Sequence, residues 1–256
     1  MLTFLLKKQL KKIAITFFSI MFLAGCQSTT SIDRTMAEVD PWEKNNRELH
    51  QINKEVDKLV LKPASEIYGQ IIPQPIRLGF ANFHNNLQEP KRFINHSIQR
   101  KYIKSGSDFA RFTVNSSVGI LGIFDIASWL NLFPEDTNFD ETFGYLQIPT
   151  GPYLEVPIAG PSSIRGAVGL LADYTFNPLL RLSGPIESVS FITFEAMNIV
   201  NERYEFSSVI DSLLYDSSDS YATTRLTYLQ TLKNHKLSEN NPSLELDLFD
   251  PSADFD

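Results

Sequence analysis

Apolar residues recur every three to four positions along most of this chain, which is the spacing of an amphipathic α-helix. None of these segments keeps the strict apolar and polar alternation of a half-buried β-strand. The pattern therefore predicts an all-α protein. The segments with helical spacing are 40–63, 76–87, 93–98, 109–118, 163–174, 187–206 and 221–232.

Three prolines set boundaries between the predicted helices. Pro63 is expected to end the first helix, because proline lacks the backbone donor that a helix interior uses. Pro75 suits the first turn of the second helix, where that donor is not needed. Pro90 is predicted to open a third helix, which continues through Ile98.

Residues 118–133 form the most apolar stretch downstream of the N-terminal segment, although Asp125 and Asn131 interrupt it. A short helix with aromatic residues on one face is typical of the membrane interface. A buried core helix has the same periodicity, so both interpretations stay open. The candidate membrane-interface residues are Phe124, Trp129 and Leu130.

Residues 149–161 are rich in proline and glycine, and they are predicted to form a stiff, irregular loop. An irregular segment of this length inside a compact domain is more often functional than not. The candidate residues that shape the loop are Gly151, Pro152, Tyr153, Pro157 and Gly160.

The first 25 residues have the three parts of a bacterial lipoprotein signal peptide. Four lysines between positions 7 and 12 precede an apolar run over 13–24, and small residues precede Cys26, the only cysteine. The run is too short to cross a membrane, which takes about 20 apolar residues. Cleavage after Gly25 is predicted to leave Cys26 as the lipidated residue, carrying N-acyl and S-diacylglycerol groups. Gln27 follows the cysteine where inner-membrane lipoproteins have aspartate, which favours the outer membrane.

Charge and composition limit the function of the remaining chain and divide it into a tether, a domain and a tail. Removing residues 1–25 removes four lysines and no acid, so the formal net charge falls from −7 to −11, which excludes a strongly basic surface for nucleic acid. Residues 26–39 are predicted to be a flexible tether, 40–237 a helical domain and 238–256 an acidic, disordered tail. The 19 phenylalanines suit either a deep core or a surface that faces acyl chains.

Catalytic and metal-binding patterns are weak in this sequence. The four histidines show no metal-ligand spacing, and no Walker loop, dinucleotide fingerprint or nucleophile elbow is present. The sequence therefore predicts neither a metal site nor an enzyme. Ser162 or Ser163 acting with His84 or His96 stays open, because triads assemble in space rather than in sequence.

Five ordered motifs resemble the MlaA (VacJ) lipoproteins, and together they cover nearly the whole chain after Cys26. The motifs are Asp40-Pro41-Trp42-Glu43 with Asn46-Arg47, Ile72-Pro73-Gln74-Pro75-Ile76-Arg77, Asn82-Phe83 with Asn86-Leu87-Gln88-Glu89-Pro90, Gly151-Pro152-Tyr153-Leu154-Glu155-Val156-Pro157 with Gly160-Pro161-Ser162-Ser163-Ile164-Arg165, and Ser217-Ser218-Asp219-Ser220-Tyr221.

The resemblance implies a ring-like or horseshoe helical lipoprotein that is anchored in the inner leaflet of the outer membrane and has an amphipathic central channel. It implies that the protein removes mislocalised phospholipids from the outer leaflet and passes them to a periplasmic lipid carrier. The implied partners are phospholipid, the outer membrane, that carrier and a trimeric porin, with no cofactor. Two alternatives stay open: a serine hydrolase that acts on lipids, and an adapter that tethers a porin through the acidic tail.

Overall fold

The computed structural model describes residues 39–175 and 185–240, without the side chains of 185–192 and 235–240. The predicted signal peptide, Cys26 and all but the last residue of the tether lie outside the described residues. So does the acidic tail from residue 241 onward, whereas 238–240 belong to the last helix.

The first helical stretch continues through Pro63 and does not end there as predicted. Helix α1 (Glu43–Val56) passes into a π-helical turn (Asp57–Leu61) and then into α2 (Lys62–Ile71). In the π-turn the backbone N–H of Lys62 bonds the carbonyl of Asp57, five residues earlier. Such a turn widens the helix, which makes room for the proline ring at the second position of α2.

Pro90 lies inside a helix, so the prediction that it opens a new one is wrong. Helix α3 runs unbroken over Gln74–Ile98 and packs along α4 (Tyr102–Ser117). Buried contacts hold α3 on both sides of the proline: Arg111 donates to Glu89 at 2.7 Å and Thr142 to Asn95 at 2.6 Å. These contacts outweigh the roughly 3 kcal/mol that an interior proline costs a helix.

Residues 118–133 do not form the single short helix that their apolar sequence suggested. Consecutive turns lead to the four-residue α5 (Ile126–Trp129), because Ile120, Leu121 and Gly122 all have positive φ, at 52°, 58° and 94°. The amide of Asn86 donates to the carbonyl of Leu121 at 3.2 Å and that of Asn82 to the carbonyl of Ile123 at 3.2 Å. Two side chains of α3 thus hold a backbone conformation that branched residues rarely adopt.

The prediction of a purely α-helical fold is wrong at one place, the proline-rich loop. Strands β1 (Tyr153–Val156) and β2 (Gly160–Ser163) form an antiparallel hairpin, with Tyr153 opposite Ser163 and Val156 opposite Gly160. The side chains of Tyr153 and Glu155 are buried whereas those of Leu154 and Val156 are half-exposed. Because a glutamate lies on the buried face of β1, the sequence there does not alternate between apolar and polar residues.

The remaining helices of the described residues are α6 (Phe139–Tyr145), α7 (Ile164–Thr175), α8 (Pro185–Glu205), α9 (Ser207–Leu214) and α10 (Ser220–Asn240). Three of these five helices, α7, α8 and α10, correspond to predicted segments, whereas α6 and α9 were not predicted. Helix α7 packs on α6 and the hairpin, α8 packs on α2 and α3, and α10 packs on β2 and α9. The described residues are therefore mostly helical, with one short hairpin.

Many apolar side chains are exposed and many polar side chains are buried, which is the reverse of an ordinary globular domain. Apolar side chains such as Ile103, Trp129 and Leu59 are 91%, 76% and 70% exposed. The apolar side chains buried among the described residues are Ala127, Phe139, Tyr153, Ala172 and Tyr221, whereas the buried polar and charged ones include His50, Asp57, Glu89, Asn95, His96, Asp108, Arg111, Glu155 and Arg203. The amphipathic helices turn their polar faces inward, so their apolar faces form the outer surface.

None of the helices within 39–175 and 185–240 combines the length and the apolar character that crossing a membrane requires.

Close packing between α2 and α8 gives a first testable prediction. A Cβ atom added at Gly69 would lie 1.9 Å from the ring of Tyr204, whereas one added at Gly106 in α4 would meet nothing within 4 Å. Gly69→Ala should therefore destabilise the protein by about 1–3 kcal/mol. Gly106→Ala should leave it unchanged or add up to about 1 kcal/mol, because alanine is the better helix former. Thermal unfolding in detergent compares the two, and equal melting temperatures would contradict this packing.

Candidate functional site

A cavity with a volume of about 850 Å³ is lined by α1, the π-turn, the hairpin, α7, α8, α9 and α10. Most of its wall is apolar, and a charged region interrupts that wall. The apolar part includes Leu61, Leu170, Ile199, Ile210, Leu213 and Leu214, and the charged region includes His50, Lys54, Asp57, Glu155, Glu202 and Arg203. The cavity is amphipathic, which suits a ligand that is itself part apolar and part charged.

A line of hydrogen bonds ties α1, β1 and α10 together beside this cavity. Nδ1 of His50 lies 3.1 Å from Oε1 of Glu155, and its Nε2 lies 3.0 Å from Oγ of Ser220. Tyr153 donates its hydroxyl to Glu155 at 2.5 Å, and burial raises the pKa of that hydroxyl. Asn53 accepts from the backbone N–H of Ile158 at 2.7 Å, which fixes the hairpin turn.

A buried ion pair joins the π-turn to α8 in the same wall. Arg203 donates to the two carboxylate oxygens of Asp57 at 2.6 and 3.0 Å and also contacts Asp211 at 2.5 Å. The hydroxyl of Tyr215 donates to Asp57 at 2.7 Å, so the Asp57 carboxylate has donors on both oxygens. Charges that are paired and hydrogen-bonded in this way can lie beside an apolar space.

A smaller cavity of about 530 Å³ adjoins the first and has a polar wall. Its lining includes His84, Gln88, Lys91, Arg92, Asp173 and Glu195. Ile199 and Glu202 of α8 line both cavities, so this helix forms the boundary between them. An amphipathic space and a polar space therefore lie side by side, separated by α8.

A second buried charge network holds α3, α4 and the 125–132 segment together. Arg111 contacts Glu89 at 2.7 Å and Asp125 at 3.3 Å, and it donates to the carbonyl of Leu132. Burial alone would raise the pKa of Asp125, but donations from Ser128 and Asn115, together with the charge of Arg111, hold it below its usual value. Arg111 thus fixes the segment that carries the exposed apolar residues.

The three candidate interface residues are all solvent-facing. The exposed fractions are 51% for Phe124, 76% for Trp129 and 59% for Leu130. The alternative of a buried core helix in this segment is therefore wrong. Whether these side chains meet lipid remains a prediction.

The candidate loop residues separate into two groups. Pro157 and Gly160 line the larger cavity, and Gly160 has a φ of 76° in the hairpin turn. Tyr153 is buried at the end of the hairpin away from the turn, and its hydroxyl donates to Glu155. Gly151 and Pro152 precede β1 and contact Ile164 at the start of α7. The hairpin thus brings part of the predicted set to the cavity wall.

In the part of the chain that the structure describes, the serines considered for hydrolysis form hydrogen bonds with groups other than the histidines considered with them. Oγ of Ser163 accepts from the N–H of Gly166 at 3.0 Å, and Ser162 donates to the carbonyl of Ser163. His84 contacts Glu195 at 3.2 Å and His96 contacts Asp108 at 2.7 Å. None of these contacts joins a serine to a histidine.

Sequence reasoning missed the polar residues that build the site. His50, Asn53 and Asp57 follow one another on the first helical stretch, but their partners Glu155, Val156 and Arg203 lie more than a hundred residues away, and only packing brings them together. The available signal was the composition of the polar helix faces. These faces carry Asn, Gln and His, which need internal partners, more than a fully solvated face does.

Comparison with known proteins identifies the family. A model of the MlaA lipoprotein family matches residues 38–235, and the chain belongs to this family. It is 31% identical to the intermembrane phospholipid transport system lipoprotein MlaA of Escherichia coli K12, across 81% of this chain and 82% of that protein. The protein of the same name from Haemophilus influenzae is 30% identical, across 93% and 97%. An uncharacterised protein of Rickettsia bellii is 29% identical, across 73% and 72%.

A solved structure also shares the fold. It is described as the "structural basis for maintenance of bacterial outer membrane lipid asymmetry". The TM-score is 0.65 at 30% identity, and the alignment covers 75% of this chain and 96% of the other. The mostly helical architecture is therefore that of the family.

The Arg111 network gives a second prediction. Arg111→Met leaves the buried Glu89 carboxylate with only the longer contact to Arg92, at 3.4 Å, which should cost up to about 3–5 kcal/mol of unfolding free energy. Arg100→Met removes an exposed guanidinium and should change it by less than about 0.5 kcal/mol. Urea unfolding in detergent measures both variants. A loss below about 1 kcal/mol for Arg111→Met would contradict the structural role of this network.

Proposed function

We propose that this chain is a lipoprotein that moves phospholipid between membranes and so maintains the lipid asymmetry of the outer membrane. The observation that carries the proposal is the amphipathic cavity of about 850 Å³ in a protein that exposes many large apolar side chains. The names of the Escherichia coli and Haemophilus influenzae relatives support it.

A diacyl phospholipid needs two kinds of wall along its path. Its tails are costly to expose to water, and its charged head group is costly to carry through an apolar space without partners. Leu170, Ile199 and Leu213 offer apolar contact to the tails, while Lys54 and Glu202 offer charges to the head group. One cavity with both kinds of wall lowers the cost of carrying either half. No covalent chemistry is part of this proposal.

The apolar exterior is where the protein meets the bilayer in this proposal. Phe124, Trp129 and Leu130 contact the inner, periplasmic leaflet, and the acyl groups on Cys26 hold the chain there. Exposed apolar side chains on the described helices support this arrangement, since water alone would not favour so large an apolar surface.

Direction and partners complete the proposal. The protein takes mislocalised phospholipids out of the outer leaflet and delivers them to a soluble periplasmic carrier, with a trimeric porin beside it. The hairpin, through Pro157 and Gly160, shapes the central channel of a ring-like protein. The family resemblance supports these points, and the cavity wall formed by the hairpin supports the last of them.

Cells that lack this gene provide the direct test. Phospholipid in the outer leaflet is measured with an outer-membrane phospholipase that acts only on surface-exposed lipid. The exposed phospholipid should rise in the deletion strain, and the native gene should reverse the rise. Cys26→Ala should not reverse it, because the anchor is lost. An unchanged amount of exposed phospholipid in the deletion strain would contradict the proposal.

Variants of the cavity wall refine the same test. Replacing Leu170 and Leu213 together by Trp narrows the cavity, so this variant should restore lipid retrieval poorly. The control replaces the neighbouring Leu171 and Ser212 by Trp, since both are exposed and lie outside the cavity wall. Equal complementation by the two double variants, at equal protein levels, would argue against this cavity as the lipid path.

A further inference from the structure

The charged residues in the wall of the larger cavity are not all paired. Asp57 bonds Arg203 at 2.6 Å, and Glu155 lies 3.1 Å from His50. Lys54 and Glu202 form no ion pair with any residue in the described ranges. One unpaired cation and one unpaired carboxylate therefore face the same space.

Both unpaired groups keep weak contacts that a ligand can replace. Nζ of Lys54 donates to the hydroxyl of Ser220 at 3.4 Å and lies 5.5 Å from the ring centre of Tyr215. The carboxylate of Glu202 accepts from the amide of Asn198 at 2.7 Å. Neutral partners of this kind leave most of each charge available to an ion of opposite sign.

The Asp57–Arg203 pair sets how the two free charges are arranged. Lys54 lies three residues before Asp57, which is close to one helical turn, and Glu202 directly precedes Arg203. The free cation and the free carboxylate thus flank one ion pair, on the two helical stretches that the pair joins. Glu202 also lines the smaller cavity, which places the negative charge at the junction of the two spaces.

We propose that Lys54 and Glu202 form a recognition site for a zwitterionic phospholipid head group, with the phosphate on Lys54 and the ammonium on Glu202. The proposal rests on the phospholipid transport function given above. An anionic head group such as glycerol phosphate gains Lys54 but places no positive charge on Glu202. The site therefore favours phosphatidylethanolamine over phosphatidylglycerol, because only the former brings a positive charge to Glu202.

The test uses the full-length protein in mild detergent, incubated with mixed micelles of equal amounts of phosphatidylethanolamine and phosphatidylglycerol. The protein is repurified, and its bound lipids are quantified by mass spectrometry. The native protein should retain more phosphatidylethanolamine. Lys54→Gln should lower total bound phospholipid about three- to five-fold, the effect of losing a partly solvated ion pair. Lys54→Arg should restore it.

Glu202 is expected to control the ratio of the two bound phospholipids rather than their total amount. Glu202→Gln should leave total lipid nearly unchanged and lower the ratio of phosphatidylethanolamine to phosphatidylglycerol by about three- to five-fold. Glu202→Lys should reverse the preference. The matched controls are Lys58→Gln and Glu55→Gln, whose side chains are exposed on the same helical stretch outside the cavity wall.

The outcomes separate this site from the transport function. Variants that bind the same amount and ratio of lipid as the native protein, with unchanged melting temperatures, would overturn the head-group site alone. A native protein that retains neither phospholipid would contradict the transport function as well. If Lys54→Gln lowers the amount of bound phospholipid and Lys54→Arg lowers it equally, recognition of charge by Lys54 would also be contradicted.

Discussion

Buried charge is the feature on which the rest of this structure depends. The pair of Arg203 with Asp57 joins segments that are distant in the sequence, the pair of Arg111 with Glu89 joins the consecutive helices α3 and α4, and each carboxylate is almost fully enclosed. A buried charge without its partner costs several kcal/mol, so these pairs fix which helix faces which. Because the polar faces pack inward, the apolar faces are left on the outside.

This inverted arrangement explains what the sequence predicted and what it did not. Periodicity located the longer helices, including those at 163–174 and 187–206, because a 3.6-residue repeat is the same whichever face is buried, but it missed the short helices α6 and α9. The same repeat cannot predict whether the apolar face of a helix packs against a core or faces lipid. Ile76, for example, lies on the predicted apolar face of α3, and its side chain is 62% exposed.

The errors at Pro63, Pro90 and residues 149–161 share one cause, which is that tertiary contacts overrode local rules. A π-turn accommodates Pro63, and buried partners on both sides carry α3 through Pro90. In the hairpin, Glu155 is buried because His50 of α1 contacts it from another element, in addition to Tyr153 of the same strand. A local sequence pattern cannot predict a contact with a residue about a hundred positions away.

The family assignment and the cavity together connect the inverted fold to lipid transport. An apolar exterior suits the bilayer, whereas the paired charges of the interior allow polar and apolar walls to coexist in one space. Hydrophobic packing alone would have filled that space with side chains. Buried polar contacts instead hold the helices apart around a cavity.

The central claim is that the exposed apolar side chains face acyl chains, and Trp129 tests it most directly. The chain has two tryptophans, so Trp42→Phe leaves Trp129 as the only indole. The full-length variant is reconstituted into vesicles whose lipids carry bromine on their acyl chains. The account predicts strong quenching of Trp129 fluorescence by the brominated lipid and little quenching by aqueous iodide. Strong quenching by iodide with none by brominated lipid would contradict it.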